Sequence, residues 1–381
     1  MPRNPFKPTA GASPPLLVGR DDVLEEFTEA LEDGPGAPGR LVIFTGPRGV
    51  GKTVMLTEVG DQALRQGWVT LAETATPGLV RRLQHAVTRA LHDLDSSTAP
   101  GRSVTSVTLP VVGGGFTTTA PPTAVVEWRT ELGRLLDTLE RNGTGLLITV
   151  DEVHKGARED LRDLAATVQH LIREDRNVAL ALAGLPSAVS DLLNDDVLTF
   201  LRRATPFELH DVPLDRVSDA LRTTIAAEGR SITDDALDEA TCATGGYPFM
   251  IQLVGYHVWR KADGDTIDLA AVQAGVPAAR KRLGSTVHET ALADLSDVDR
   301  TYLLAMSHDE GESSTGEVAR RLGETPYYAS TYRARLIAAG VIEPTRRGYV
   351  DFTIPYLREY LREHAARYEM ASRGAGRHTR R

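Results

Sequence analysis

Over the first two hundred residues, short continuously apolar runs alternate with stretches whose apolar positions recur at helical spacing. The runs at 41–44, 68–75, 145–151 and 178–183 predict buried strands, and helices are expected at 21–31, 50–65, 77–94, 124–142 and 158–174. Strands without polar alternation are covered on both faces, so the pattern predicts a parallel sheet between helix layers. After a last short strand at 206–209 the spacing turns wholly helical, at 214–228, 233–244, 248–262 and 269–283. Residues 96–124 interrupt the pattern: they are rich in Thr, Ser, Pro and Gly and predict a β-hairpin or mobile loop inserted into the core.

A different arrangement closes the chain. Helices are expected after Leu295-Ser296 to about 307, at 315–322 and at 326–339, followed by strands at 341–343 and 349–354 around the turn Arg346-Arg347-Gly348. Three helices and a hairpin predict a winged helix-turn-helix, whose third helix enters the major groove of DNA. Leu336, Ile337 and Tyr332 are assigned inward. That leaves Tyr328, Ser330, Thr331, Arg333 and Arg335 for nucleic acid, with Arg346 and Arg347 at the wing tip. The expected organisation is a flexible arm (1–15), an α/β core (16–210), a helical lid (211–285), an α+β winged helix (286–366) and a basic tail (367–381).

Composition adds little to class but bounds the setting. The 381 residues suffice for two or three domains, and 41% hydrophobic with 25% charged residues is ordinary for a globular chain. No apolar run reaches membrane-span length and residues 1–15 lack a signal-peptide core, so a cytoplasmic location is expected. The single cysteine, Cys242, excludes an intramolecular disulfide and is read as a buried structural thiol. A net charge of −9 disfavours nucleic acid until its distribution is examined. Residues 318–381 hold thirteen arginines against six carboxylates, and a basic end on an acidic body can still meet phosphates, because charge acts over roughly 10 Å. The tail arginines Arg373, Arg377, Arg380 and Arg381 would add sequence-independent contacts.

Two motifs carry chemistry. Gly46-Pro47-Arg48-Gly49-Val50-Gly51-Lys52-Thr53 fits G-x-x-x-x-G-K-[ST] between a predicted strand and a predicted helix. Glycines let successive N–H groups converge on phosphate oxygens, and the helix N-terminus behind them adds positive potential. Lys52 would reach the β- and γ-phosphates, and the Thr53 hydroxyl would hold Mg²⁺. The strand at 145–151 ends in Asp151-Glu152, a Walker B pattern: Asp151 is the metal-site carboxylate and Glu152 the base for an attacking water. His154 follows the pair and has the spacing of a surface residue or a modulator of Glu152.

The order of Val18-Gly19-Arg20, phosphate loop, Asp151-Glu152, fourth strand and helical lid resembles an AAA+ ATPase, nearest to the origin-recognition-like initiators, over roughly residues 16–285. The resemblance implies ATP and Mg²⁺ as ligands, self-association, and an adenine pocket lined by Val18, Gly19 and Arg20. It places Arg202 and Arg203 where an arginine finger would act on a neighbour's γ-phosphate, though a solvated face explains the pair equally well. Two positions depart from the initiators. Ala181-Leu182-Ala183-Gly184 offers no polar sensor, and Gly245-Gly246-Tyr247-Pro248 resembles the lid motif of signalling NTPases, leaving Arg260 and Lys261 as lid cations. The function implied is an ATP-hydrolysing, nucleotide-controlled switch that binds duplex DNA. A signalling or defence NTPase whose winged helix binds protein, and an accessory ATPase of transposition or plasmid maintenance, remain open alternatives.

Overall fold

A computed structural model describes residues 3–9, 11, 14, 17–96, 123–153, 155–195 and 198–365. The expectations for the 96–124 insertion, for His154 and for the arginines of the tail therefore fall wholly or almost wholly outside the described residues. The chain divides into two compact units.

One unit comprises Arg20–Thr45 and Lys52–Leu209. Along it run α1 (Asp21–Glu32), β1 (Leu41–Thr45), α2 (Lys52–Arg65), β2 (Val69–Thr74), α3 (Leu79–Ser96), α4 (Thr123–Arg141), β3 (Leu146–Asp151), α5 (Arg158–Arg173), β4 (Val178–Gly184), α6 (Pro186–Leu193) and β5 (Thr205–Glu208). The strands form one parallel sheet in the order β2-β3-β4-β1-β5. β3 and β4, central in that order, are buried almost throughout, while the edge strand β5 alternates. This is the burial expected of a parallel sheet covered on both faces. Asp195, almost fully buried, ties the residues after α6 to the first turns of α5 by accepting from Arg158 Nε (2.7 Å) and Arg162 Nη2 (2.9 Å).

Arg40 is a buried cation that the apolar pattern did not reveal. Its guanidinium donates to the carbonyls of Ala30 (2.8 Å) and Leu31 (2.6 Å) at the end of α1 and stacks on Trp68. Burial pulls its pKa down to about 10, so it stays charged at neutral pH. It serves the orphan carbonyls of a helix end.

The other unit gathers Met1–Gly19, Gly46–Gly51 and His210–Arg381. Its elements are α7 (Leu214–Ala227), β6 (Ser231–Ile232), α8 (Asp234–Thr244), α9 (Pro248–Lys261), β7 (Thr266–Ile267), α10 (Leu269–Leu283), α11 (Glu289–Ala293), α12 (Asp297–Ser307), β8 (Ser313–Ser314), α13 (Thr315–Leu322), α14 (Pro326–Ala338), β9 (Ile342–Pro344), β10 (Tyr349–Phe352) and α15 (Leu357–Glu363). The expected two-stranded wing is a three-stranded antiparallel sheet, β8-β10-β9, because Ser313 and Ser314 pair with β10. Helices α12 to α14 with this sheet have the form of a winged helix. Local signals explain its starts and stops: Ser296 and Asp299 form a capping box before α12, Thr325 caps α14, and Gly323 ends α13 in the left-handed region.

Two expectations are corrected in this unit. The N-terminal arm, read as loose, is anchored over residues 4–7: Asn4 donates to Tyr256 O (3.0 Å), Lys7 N–H donates to Gln252 (3.1 Å), and Phe6 is buried against Gly255. Cys242 is exposed, because the buried stripe of α8 runs through Ala236, Leu237, Ala240 and Ala243.

A five-residue π-turn, Gly284–His288, joins α10 to α11 and carries a buried histidine. His288 Nε2 lies 2.9 Å from Pro355 O and must donate to it, which leaves Nδ1 bare, buried and without a partner. Burial holds the pKa down to about 4, with His364 opposing protonation as well. In the unfolded chain His288 titrates near 6.5, so below that pH the unfolded state takes up a proton that the folded state refuses until about pH 4. Stability is expected to fall by about 1.4 kcal/mol per pH unit from pH 6.5 toward 4 through this group, and to be independent of it above 6.5. Urea midpoints at pH 7.5 and 5.0 for wild type and His288→Gln check this: the wild-type loss should exceed that of the variant.

Candidate functional site

The C-terminal ends of the parallel strands bring the Walker B residues beside α2. Asp151 ends β3, and Thr53 stands in the first turn of α2, which begins at Lys52. Thr53 Oγ1 donates to Asp151 Oδ2 at 2.6 Å, joining two motifs ninety-eight residues apart in sequence. The other oxygen, Asp151 Oδ1, accepts the Glu152 N–H at 2.7 Å. Both carboxylate oxygens are thus oriented. Glu152 itself is exposed and has φ +54°, a left-handed backbone that costs a non-glycine residue about 1–3 kcal/mol. The strain lies in the Glu152 backbone, directly after the oriented Asp151 carboxylate, and backbone outliers of this kind cluster at functional sites.

The donor set fits a magnesium nucleotide: a hydroxyl and a carboxylate in hydrogen-bond contact, both hard oxygen ligands, beside the lysine that opens a helix. Lys52 and Thr53 would hold phosphate and metal there, with Asp151 sharing the metal.

The loop Gly46–Gly51 belongs to the helical unit and is built on positive φ at Gly46, Gly49 and Gly51. Arg48 is held twice within that unit. Its carbonyl accepts from Tyr247 Oη at 2.8 Å, and its guanidinium pairs with Asp294 at 3.1 Å. Pro47 and Val50 complete the loop, Val50 buried. Val18 packs, partly buried, on the unit's apolar cluster, Gly19 has φ +65°, and the Arg20 carbonyl accepts from Leu24 N–H at the start of α1.

Gly184, at the end of β4, packs against Val153. A side chain at Gly184 would run into Val153, whose N–H is bonded to Ala183 O (2.9 Å), so glycine is required there. Arg202 and Arg203 lie exposed in a 3₁₀ turn, Thr199–Arg203, before β5; Arg202 Nε donates to Leu193 O at 2.7 Å. Of the lid cations, Arg260 bonds Tyr256 Oη (3.0 Å) and lies over its ring, while Lys261 is exposed at the end of α9.

On α14 the nucleic-acid assignment is partly redrawn. Ser330 and Thr331 are exposed as expected, and Tyr328 is exposed with its hydroxyl bonded to Tyr332 (2.9 Å). Arg335 is exposed, as assigned, while also bonding the buried carboxylate of Asp299 (2.9 Å), and Arg333 is half-buried with its Nε shielded from water. Both sit on the side of α14 that meets α12, a facing that periodicity alone leaves open. Arg346 lies over the Tyr349 ring and pairs with Glu312 (2.8 Å); Arg347 is exposed at the turn. Tyr327, at 85% exposure, was not singled out by the sequence reading, yet it is the most exposed large hydrophobic side chain of the helix. Its signal was its place beside Pro326, directly after the helix cap.

Comparison with known proteins places these features. Residues 16–182 match the family model of the AAA ATPase domain, and residues 285–361 match a domain of unknown function. Over residues 16–182 the chain is thus similar to an AAA ATPase domain, on a parallel α/β sheet that carries the phosphate-loop motif. A Walker-type ATPase of Pyrococcus abyssi superposes with a TM-score of 0.63 at 16% identity, covering 91% of this chain and 96% of that one. The ORC2 protein of Aeropyrum pernix, solved as ADPNP and ADP complexes, gives 0.62 at 13% identity, with 96% and 98% covered. The fold is therefore shared with these two proteins along nearly its whole length. No curated protein sequence matches the chain. Among the described residues no helix is long and apolar enough to cross a membrane.

Proposed function

We propose that the chain binds and hydrolyses ATP and uses the nucleotide state to control binding of duplex DNA by its C-terminal winged helix. The observation that carries the nucleotide half is the Thr53–Asp151 hydrogen bond, which joins the two motifs as one oxygen-donor set. Bound Mg²⁺–ATP supplies the γ-phosphoryl group and the charge that activates it. Lys52 contributes the fixed cation for the phosphates, Thr53 and Asp151 hold the metal's ligand sphere, and Glu152 accepts the proton of the attacking water. Slow turnover is expected, since residues 181–186 offer no polar sensor. Arg202 or Arg203 would act as finger for a neighbouring subunit, and Val18, Gly19 and Arg20 would line the base. A cytoplasmic location and self-association belong to the same reading.

Support for the DNA half comes from the exposed Tyr327, Tyr328, Ser330, Thr331 and Arg347 on α14 and the wing. The Arg346–Glu312 pair is exposed and screened by solvent, so that arginine can exchange its partner for a phosphate. Arg335 would leave the buried Asp299 with only its bonds to Ser296, so its exchange for a phosphate costs more. Anisotropy of labelled duplex with the full chain, at several salt concentrations, is the test. Affinity is expected to fall with log salt at a slope of about −0.9 per phosphate neutralised, and Arg347→Ala should remove about one such contact.

A second reading has its own observation. Of the eight described arginines between residues 318 and 365, six are ion-paired within the chain, and among the described residues the most exposed large hydrophobic side chain is the ring of Tyr327. That surface also suits a protein partner, as in a signalling NTPase. Salt-independent or absent duplex binding would select it.

A further inference from the structure

We propose that Tyr247 is a positioning residue for the phosphate-binding loop, fixing one of its peptide planes from the helical unit. The inference rests on the nucleotide-binding reading of residues 46–53. The Tyr247 side chain is fully buried, and its hydroxyl donates to the Arg48 carbonyl at 2.8 Å. The peptide that carries this carbonyl also carries the Gly49 N–H. A trans peptide is planar, with its C=O and N–H pointing in opposite directions. Holding the Arg48 carbonyl on the phenol therefore aims the Gly49 N–H away from it, as a loop that presents N–H groups to an anion requires.

Gly49 is fitted to the same ring. Its φ is +78°, and a Cβ there would overlap the Tyr247 hydroxyl. This position thus demands glycine twice, once for backbone conformation and once for the close approach.

The tyrosine cannot readily swing aside. Gly245 closes α8 in the left-handed region, and Gly246, at φ +79°, follows it. The Gly246 carbonyl accepts from Val212 N–H (2.8 Å), its own N–H donates to Thr244 Oγ1 (3.1 Å), and a Cβ at 246 would strike the Val212 carbonyl. Pro248 then opens α9. The Gly-Gly-Tyr-Pro run is thus a rigid mount. Burial pushes the phenol pKa upward, and the charge of Asp211 adds to this, so the hydroxyl remains a donor. The same loop residue is tied once more by its guanidinium to Asp294, which caps the C-terminus of α11 just ahead of α12.

The test compares full-length wild type, Tyr247→Phe and Asp294→Ala by titration with ADP and by amide hydrogen exchange without nucleotide. Phe keeps the ring packing and removes only the donor. Tyr247→Phe is expected to weaken ADP binding about three- to tenfold, the range for one lost hydrogen bond. It should also speed exchange in peptides covering 46–52 while leaving α8 and α9 protected. Asp294→Ala should bind ADP as wild type does.

ADP affinity within twofold of wild type together with unchanged loop exchange overturns the proposal. Faster exchange spread through α8 and α9 also overturns it, since that marks a merely structural role. If wild type itself fails to bind ADP, the nucleotide reading falls, and the loop-exchange comparison still decides whether Tyr247 holds this peptide plane.

Discussion

Lys52→Ala is expected to lower affinity for ATP and ADP about a hundredfold or more in the presence of Mg²⁺, with little change in the unfolding midpoint of the nucleotide-free protein. Lysine stands at the first position of α2, where the helix N-terminus already favours an anion. Hydrogen bonds to charged groups contribute about 1.5–3 kcal/mol each, and an ammonium reaching two phosphates contributes more than one of them. Alanine removes these contacts and leaves the helix propensity intact or improved. Isothermal titration of both forms settles the matter, and a wild type and variant of equal affinity would reduce the glycine-rich segment to an ordinary turn.

Glu152→Gln is expected to separate binding from hydrolysis. Glutamine keeps the size of the side chain and the N–H that bonds Asp151, so nucleotide affinity should stay within about threefold. It cannot accept a proton from water, and loss of a general base typically costs about 10²–10⁴ in rate. Phosphate release under single-turnover conditions reads this directly. Asp151→Asn differs in kind: it weakens the bond to Thr53 and the metal's ligand set, so binding and hydrolysis should fall together. If Glu152→Gln hydrolyses at the wild-type rate, another group is the base.

Much of this was legible in the chain because the deciding forces are local or periodic. Continuous burial of β3 and β4 follows from their unbroken apolar runs, and Lys52 and Thr53 fall at a helix start because glycines precede them. What periodicity could not convey was partnership between distant residues. The basic count of the C-terminal segment was correct as arithmetic, yet it could not tell that Arg335 answers a buried Asp299 or that Arg346 lies on Tyr349. The buried Arg40 shows the same blindness: an arginine on a polar stretch reads as surface until α1 presents its carbonyls to it. The Gly-Gly-Tyr-Pro run was legible as a helix start, but the role of its tyrosine depends on a loop about two hundred residues earlier. Short strands such as β8 escaped for a simpler reason, since Ser313 and Ser314 have no apolar signal and pair only because β10 has a free edge.

The central claim is that nucleotide occupancy governs the winged helix. Its most direct measurement is duplex DNA affinity of the full chain by anisotropy in the presence of no nucleotide, ADP or a non-hydrolysable ATP analogue, with Lys52→Ala alongside. Salt-sensitive binding that tightens with the ATP analogue and no longer responds in Lys52→Ala is the predicted result. Binding that is absent, or identical in every nucleotide state, would contradict it.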